Sequence, residues 1–276
     1  STNNVFVVNL SIADLLTSVS ILGSVVVTLS PVDVEYPIPD WLCAAASAGV
    51  STTFGCSVYT LASIAIIRLD CVIRPMKVYD LNYTFWIGVW IFMTWLIPLL
   101  ATIIPPMVDI GRLGTNEYLR TCSVHAYHPG IELQGYIQIL VFYPLPLSVI
   151  VFCYITICLY LLRYTSTFAN AASEGENIQM ITAMRKRQIL VTKNMFYVVA
   201  IFLLFLTPYR LWVSLDLHFD SYVLYVSSLV VFNSCVNPIM YGLKHPAFKR
   251  VFKPLLSCKF AQVPEQTDTF KDLRQR

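Results

Sequence analysis

Asp14 is a lone carboxylate inside an apolar run, Asn9-Leu10-Ser11-Ile12-Ala13-Asp14-Leu15-Leu16. Asn233, Ser234 and Asn237 interrupt another apolar run far along the chain, and Ser57 sits in the middle of a third. Carboxylate, hydroxyl and amide oxygens are hard donors, so this set could coordinate a small cation or an ordered water cluster. Interhelical hydrogen bonding alone is the other reading. Arg210, in Pro208-Tyr209-Arg210-Leu211-Trp212, is a cation in apolar surroundings. Asp216 lies six residues on, about 240° around a helix, so the two cannot pair along one face. The planar fork of Arg210 could bind the carboxylate or phosphate of an anionic ligand, or it could serve a structural ion pair or snorkel to an interface. His125 and His128 share a loop without a metal-binding pattern and read as solvated side chains. No catalytic set is present.

The surrounding composition fixes what must position these groups. Hydrophobic residues make up 57% of the 276 and charged residues only 13%, too few charges to cover a soluble surface, and the mean hydropathy is +0.65. Apolar stretches recur at roughly 5–29, 42–67, 85–107, 137–162, 194–215 and 222–243. A bilayer core of about 30 Å needs about 20 helical residues, so each can span, and each is too long and continuous for a barrel strand. With residue 1 on the inner side, the inner segments collect Arg68, Arg74, Lys77, the Arg185-Lys186-Arg187 cluster and every base from Lys244 onward. The outer segments keep only Arg112 and Arg120 among several acids. That asymmetry fixes the orientation.

Most of the eight cysteines fall inside spans and read as small embedded residues. Cys43 and Cys122 alone fall at the outer face, where oxidation is permitted. The sequons at Asn9 and Asn82 lie in a span and on the inner side, so neither is expected to carry glycan. Short linkers indicate one domain over 1–258, and no internal repeat is present. After Tyr241, the bases Lys244, Lys249, Arg250 and Lys253 interleave with Phe248, Val251 and Phe252 as in an amphipathic helix on anionic lipid. The polar tail at 259–276 is expected to be disordered and cytoplasmic.

The chain resembles the rhodopsin-like G-protein-coupled receptors. Asn9-Leu10-Ser11-Ile12-Ala13-Asp14-Leu15-Leu16 is similar to their second helix, and Asn237-Pro238-Ile239-Met240-Tyr241 matches their Asn-Pro-x-x-Tyr signature. Cys43 precedes Arg68 by 25 residues and Arg68 precedes Pro75 by seven, the family's third-helix offsets. Trp95 and Pro105 fit the fourth helix, Pro146 and Tyr154 the fifth, Phe202 and Pro208 the sixth. The resemblance covers about 1–258 and implies an all-α, multi-pass plasma-membrane bundle holding six spans, the second to the seventh, and a short surface helix. Ser1-Thr2-Asn3-Asn4 resembles the inner loop after a first helix, so the chain reads as lacking that helix.

The same resemblance implies a Cys43–Cys122 disulfide and an allosteric sodium pocket of Asp14, Ser57, Asn233, Ser234 and Asn237. It implies an activation set of Arg68, Tyr154, Tyr241, Pro238, Pro208 and Phe202, and ligand contacts at Val50, Tyr209, Arg210 and Phe142. Cys258 is the expected palmitoylation site. Expected partners are an extracellular ligand, a heterotrimeric G protein, arrestin through the tail, and the bilayer, with no nucleic acid. Val50 replaces the ammonium-binding acid of amine receptors and Val231 the retinal lysine of opsins, which leaves peptides, lipids and other small molecules. Short segments at Ser63-Ile64-Ala65 and Phe152-Cys153-Tyr154 are similar to melatonin-type and related orphan receptors. Competing readings are a receptor-shaped decoy or heteromer partner that does not couple, and a transporter, whose inverted repeats are not visible.

Two departures bear on signalling. Ile67-Arg68-Leu69 stands where the family has Asp/Glu-Arg-Tyr, and Leu206 replaces the sixth-helix tryptophan. Asp70, two positions beyond Arg68, does not restore the acid–arginine geometry. Without an adjacent acid to hold Arg68 at rest, basal signalling should be raised, unless Asp70 or an inner-loop acid takes that place. Ile67→Asp is expected to lower basal G-protein activation in membranes, and an unchanged or higher rate would refute the missing latch.

Overall fold

The computed structural model describes residues 2–31, 37–73, 81–116, 120–124 and 129–171, with scattered positions between 196 and 258. The described residues fall into two compact units. The first contains every residue up to Phe196; the second contains the positions described from Tyr197 onward. The expected spans at 194–215 and 222–243, the surface helix and the tail lie largely outside the described residues. Within the second unit, Phe205 and Phe232 meet with ring centroids 5.7 Å apart, and Cys258 is exposed in a turn.

The first unit is built from α1 (Thr2–Leu29), α2 (Asp40–Ile73), α3 (Leu81–Met107), a hairpin of β1 (Leu113–Asn116) and β2 (Thr121–Val124), α4 (Ile131–Phe142) and α5 (Pro144–Ala171). The polarity of α1 is inverted relative to a helix in water. Phe6, Leu10, Ala13, Asp14 and Thr17 face inward at three- and four-residue spacing, while Val5, Val8, Ile12, Leu15, Val19 and Leu22 are exposed. A face so uniformly apolar and uncovered belongs against lipid. Four stretches among the described residues have the length and hydropathy to cross a bilayer: Val5–Leu29, Asp40–Ile73, Phe85–Met107 and Ile131–Leu161. Hydroxyls in these helices return to the carbonyl four residues back, as Ser11, Thr17, Thr60 and Thr102 do, so they need no water.

The central helix is α2, which touches α1, α3, α5 and both strands. Small residues allow the approach. A Cβ added at Gly23 would meet that of Ala46 at 2.8 Å, where α1 crosses α2. Helix α2 also runs further than its expected span at 42–67. Asp40 opens it outside, and Arg68, Asp70 and Cys71 remain helical at the inner end.

The span expected at 137–162 begins earlier and is broken. It starts at Ile131, after Gly130, and the helix interrupts at Tyr143. Pro144 and Pro146 supply no N–H to the turn before them, which explains the break. The Val141 carbonyl, in the orphaned last turn of α4, accepts a 3.0 Å hydrogen bond from the Tyr59 hydroxyl of α2. One turn outward of this joint, Gly55 lets α2 meet Pro98 and Phe142. A Cβ there would lie 2.6 Å from Cβ of Pro98 and 2.9 Å from Cε1 of Phe142. Gly55→Ala is expected to destabilise by about 1–3 kcal/mol through overpacking. It should lower the thermal unfolding midpoint in detergent, whereas Gly88→Ala, with nothing within 4 Å of its new Cβ, should not.

Candidate functional site

Three clusters of polar side chains stand out, in the middle of the bundle and at its outer and inner ends. In the middle, Asp14 is 4% exposed and accepts a 2.9 Å hydrogen bond from the Ser57 hydroxyl across the α1–α2 interface. One turn outward, Thr17 and Thr53 join the same helices at 2.8 Å. A carboxylate flanked by hydroxyls and removed from water is costly unless paired or bound to a cation. Asn233, Ser234 and Asn237, the other expected members, lie outside the described residues.

One turn inward, Asn9 ties three helices together. Its amide nitrogen donates to Thr60 Oγ1 of α2 at 2.8 Å and to Thr94 Oγ1 of α3 at 3.3 Å. Its oxygen accepts from Trp95 Nε1 at 2.9 Å. Both ends of the amide are therefore engaged, consistent with an unglycosylated sequon. The sequence reading passed over this role, although an asparagine inside a span was itself the signal.

At the outer end the hairpin is fastened at a single rung. Cys43 and Cys122 form a disulfide with Cα atoms 4.9 Å apart. Thr115 is the cross-strand partner of Cys122, and its backbone N–H and hydroxyl both donate to Asp40 Oδ1, at 2.9 and 3.1 Å. Asp40 and Cys43 are one turn apart on α2, so one face of one helix holds both strands. From α1, Ser24 donates to the Cys122 carbonyl at 3.2 Å and Thr28 to that of Arg120 at 3.0 Å. The outer segment between α3 and α4 thus carries an anchored hairpin.

Val50 is half-buried on α2, on the stretch between this rung and Thr53. Phe142, expected as a ligand contact, is 2% exposed and packs at Gly55. Gln134 and Gln138, one turn apart on α4, were not singled out from sequence. Gln134 is fully buried, and the amide nitrogens of both lack a hydrogen-bond partner among the described residues. Two glutamines at helical spacing in an apolar span were the available signal. Tyr209 and Arg210 lie outside the described residues.

At the inner end Arg68 is half-buried on α2, and the Tyr154 hydroxyl of α5 lies within its electrostatic reach. Tyr154 is itself buried, with its ring edge-on to Phe196 at 6.1 Å. Ile67, in the place of the family acid, is buried. Phe202, Pro208, Pro238 and Tyr241 lie outside the described residues.

Residues 1–241 match the model of the 7 transmembrane receptor (rhodopsin family). The chain belongs to this family. Among similar proteins are the [Phe13]-bombesin receptor of Bombina orientalis, 25% identical across 95% of this chain and 69% of its own length, and melatonin receptor type 1B of Rattus norvegicus, 25% identical across 92% and 68%. The allatostatin-A receptor of Bombyx mori is 25% identical across 98% and 76%. Squid rhodopsin shares the fold, with a TM-score of 0.79 at 20% identity over 99% of this chain and 76% of that one. This rhodopsin-family chain is therefore a multi-pass plasma-membrane receptor that signals from an extracellular ligand to a G protein, and it is not an enzyme.

The rung makes a separable prediction about this receptor. Asp40→Ala leaves the Thr115 N–H without its acceptor, at a cost of about 1–3 kcal/mol. Amide hydrogen exchange in 113–124 should then quicken by about tenfold or more. Arg112→Ala should leave it nearly unchanged. That pair is long, 3.5 Å, and its side chains are 67% and 42% exposed, so it contributes little.

Proposed function

We propose that this receptor responds to an amide-bearing ligand, a peptide foremost, and that sodium at Asp14 biases it toward its resting state. Three similar receptors are named for bombesin, allatostatin-A and melatonin. Val50 takes the place of an ammonium-binding acid, which weighs against monoamines. Gln138 offers an amide nitrogen in want of a partner on α4, and Arg210 would read a carboxylate on the same ligand. Tyr209 and Val50 would line the cavity, with Phe142 supporting its wall.

The observation that carries the sodium reading is the buried Asp14–Ser57 pair at 2.9 Å. Asn233, Ser234 and Asn237 would complete the oxygen shell. A cation that prefers the resting arrangement shifts the equilibrium only by its differential affinity for the two states. On activation Arg68 would swing to meet Tyr154, Tyr241 and the G protein, with Phe202, Pro208 and Pro238 shaping the moving helices. We further read six spans within this chain, a basic surface helix after Tyr241, palmitate on Cys258 and arrestin contact through the tail at 259–276.

The test is basal and peptide-stimulated nucleotide exchange on G protein, with NaCl titrated against choline chloride. Sodium should depress basal exchange and weaken peptide potency in the wild type. Asp14→Asn should abolish both dependences while surface expression holds. An undiminished sodium response in Asp14→Asn would exclude the site. If no amidated peptide or N-acyl amine from a broad panel raises exchange, the ligand class is wrong.

A further inference from the structure

A cleft of about 480 Å³ opens between α1, α2 and α3 near the inner end of the first unit. Among the described residues its walls are Phe6 of α1, Ile66 and Ile67 of α2, and Trp86 and Trp90 of α3, with Asp70 the one acid among them. Asp70 lies one turn before Ile73, where α2 ends, and Trp86 lies near the start of α3. Both therefore stand near the inner membrane interface, the depth at which tryptophan settles and headgroups begin. Trp86 is 57% exposed and its neighbour Phe85 70%. The cleft thus opens on a face that the bilayer covers, and its occupant is drawn from the bilayer.

The lining selects among lipids. Indole faces and a carboxylate together attract a cation, by ring quadrupole and by charge. A primary ammonium can also donate hydrogen bonds to Asp70, which a quaternary choline cannot. A serine headgroup adds a carboxylate that Asp70 repels. We propose that this cleft binds a phospholipid with a primary ammonium headgroup, phosphatidylethanolamine, through Asp70 and Trp90, with an acyl chain lying along Ile66 and Ile87. The cleft is large enough for the chain segment next to the headgroup, not for the whole lipid. Because Asp70 is two residues from Arg68 on α2, the bound lipid bears on the helix that carries the coupling arginine.

The test uses the full chain in nanodiscs of phosphatidylcholine doped in turn with phosphatidylethanolamine, phosphatidylserine or a sterol, and needs neither agonist nor G protein. Lipids retained by the folded protein are counted by native mass spectrometry. The wild type should retain phosphatidylethanolamine over phosphatidylcholine by about tenfold, the equivalent of one strong charged contact. Asp70→Asn should erase that preference, Asp70→Glu should keep it, and Trp90→Ala should weaken it. Equal retention of the three phospholipids by the wild type would overturn the proposal. So would a preference for phosphatidylserine, displacement of phospholipid by sterol, or a preference that survives Asp70→Asn.

Discussion

A hydrocarbon interior supplies no hydrogen-bond partner, so every polar group carried into it must be met by another part of the chain. That constraint organises the bundle. Backbone groups are met within helices, and most hydroxyls turn back on their own carbonyls. What is left over, chiefly the Asn9 amide, the Asp14 carboxylate and the Trp95 indole, must reach a neighbouring helix. These few side chains set the rotation and height of α1, α2 and α3 against one another. Apolar packing against lipid would set them only weakly, since lipid tails are as apolar as leucine.

The outer end obeys a different rule because water is present there. A short hairpin of eight paired residues has little stability alone. The covalent tie at Cys122 and the charge-assisted bonds at Thr115 fall on opposite strands of one rung. Either tie alone would leave the other strand free to peel; together they fix the plane of the hairpin relative to α2. Contacts from α1 then hold its far edge. A ligand approaching from outside meets a fixed surface, which lowers the ordering cost of binding.

At the inner end the replacement of an acid by Ile67 has a structural side as well as a signalling one. Ile67 is buried, where a carboxylate would need a partner. Among the described residues the acid of this region is Asp70, one helical turn on, lining the cleft between α1 and α3. Charge at the inner end of α2 is thus divided between an arginine near α5 and a carboxylate near α3.

Much of this was legible in the residues. The presence of membrane-length helices, the pairing-competent Cys43 and Cys122, and the oddity of Asp14 follow from composition and local spacing, because bilayer thickness and water exposure act on each segment separately. The break at Tyr143 was also written in Pro144 and Pro146, inside the stretch expected to span at 137–162. Other features belong to the tertiary structure alone. Asn9 as a three-helix joint, Asp40 as the second hairpin anchor, Phe142 as a buried prop and Asp70 as the acid of an inner cleft all join residues remote in sequence, as when Asn9 meets Thr60 and Trp95, 51 and 86 positions away. One periodicity tells which residues share a face of a helix. It does not tell which helix that face will meet, because that is settled by the simultaneous packing of small residues and the matching of every stranded polar group across the bundle.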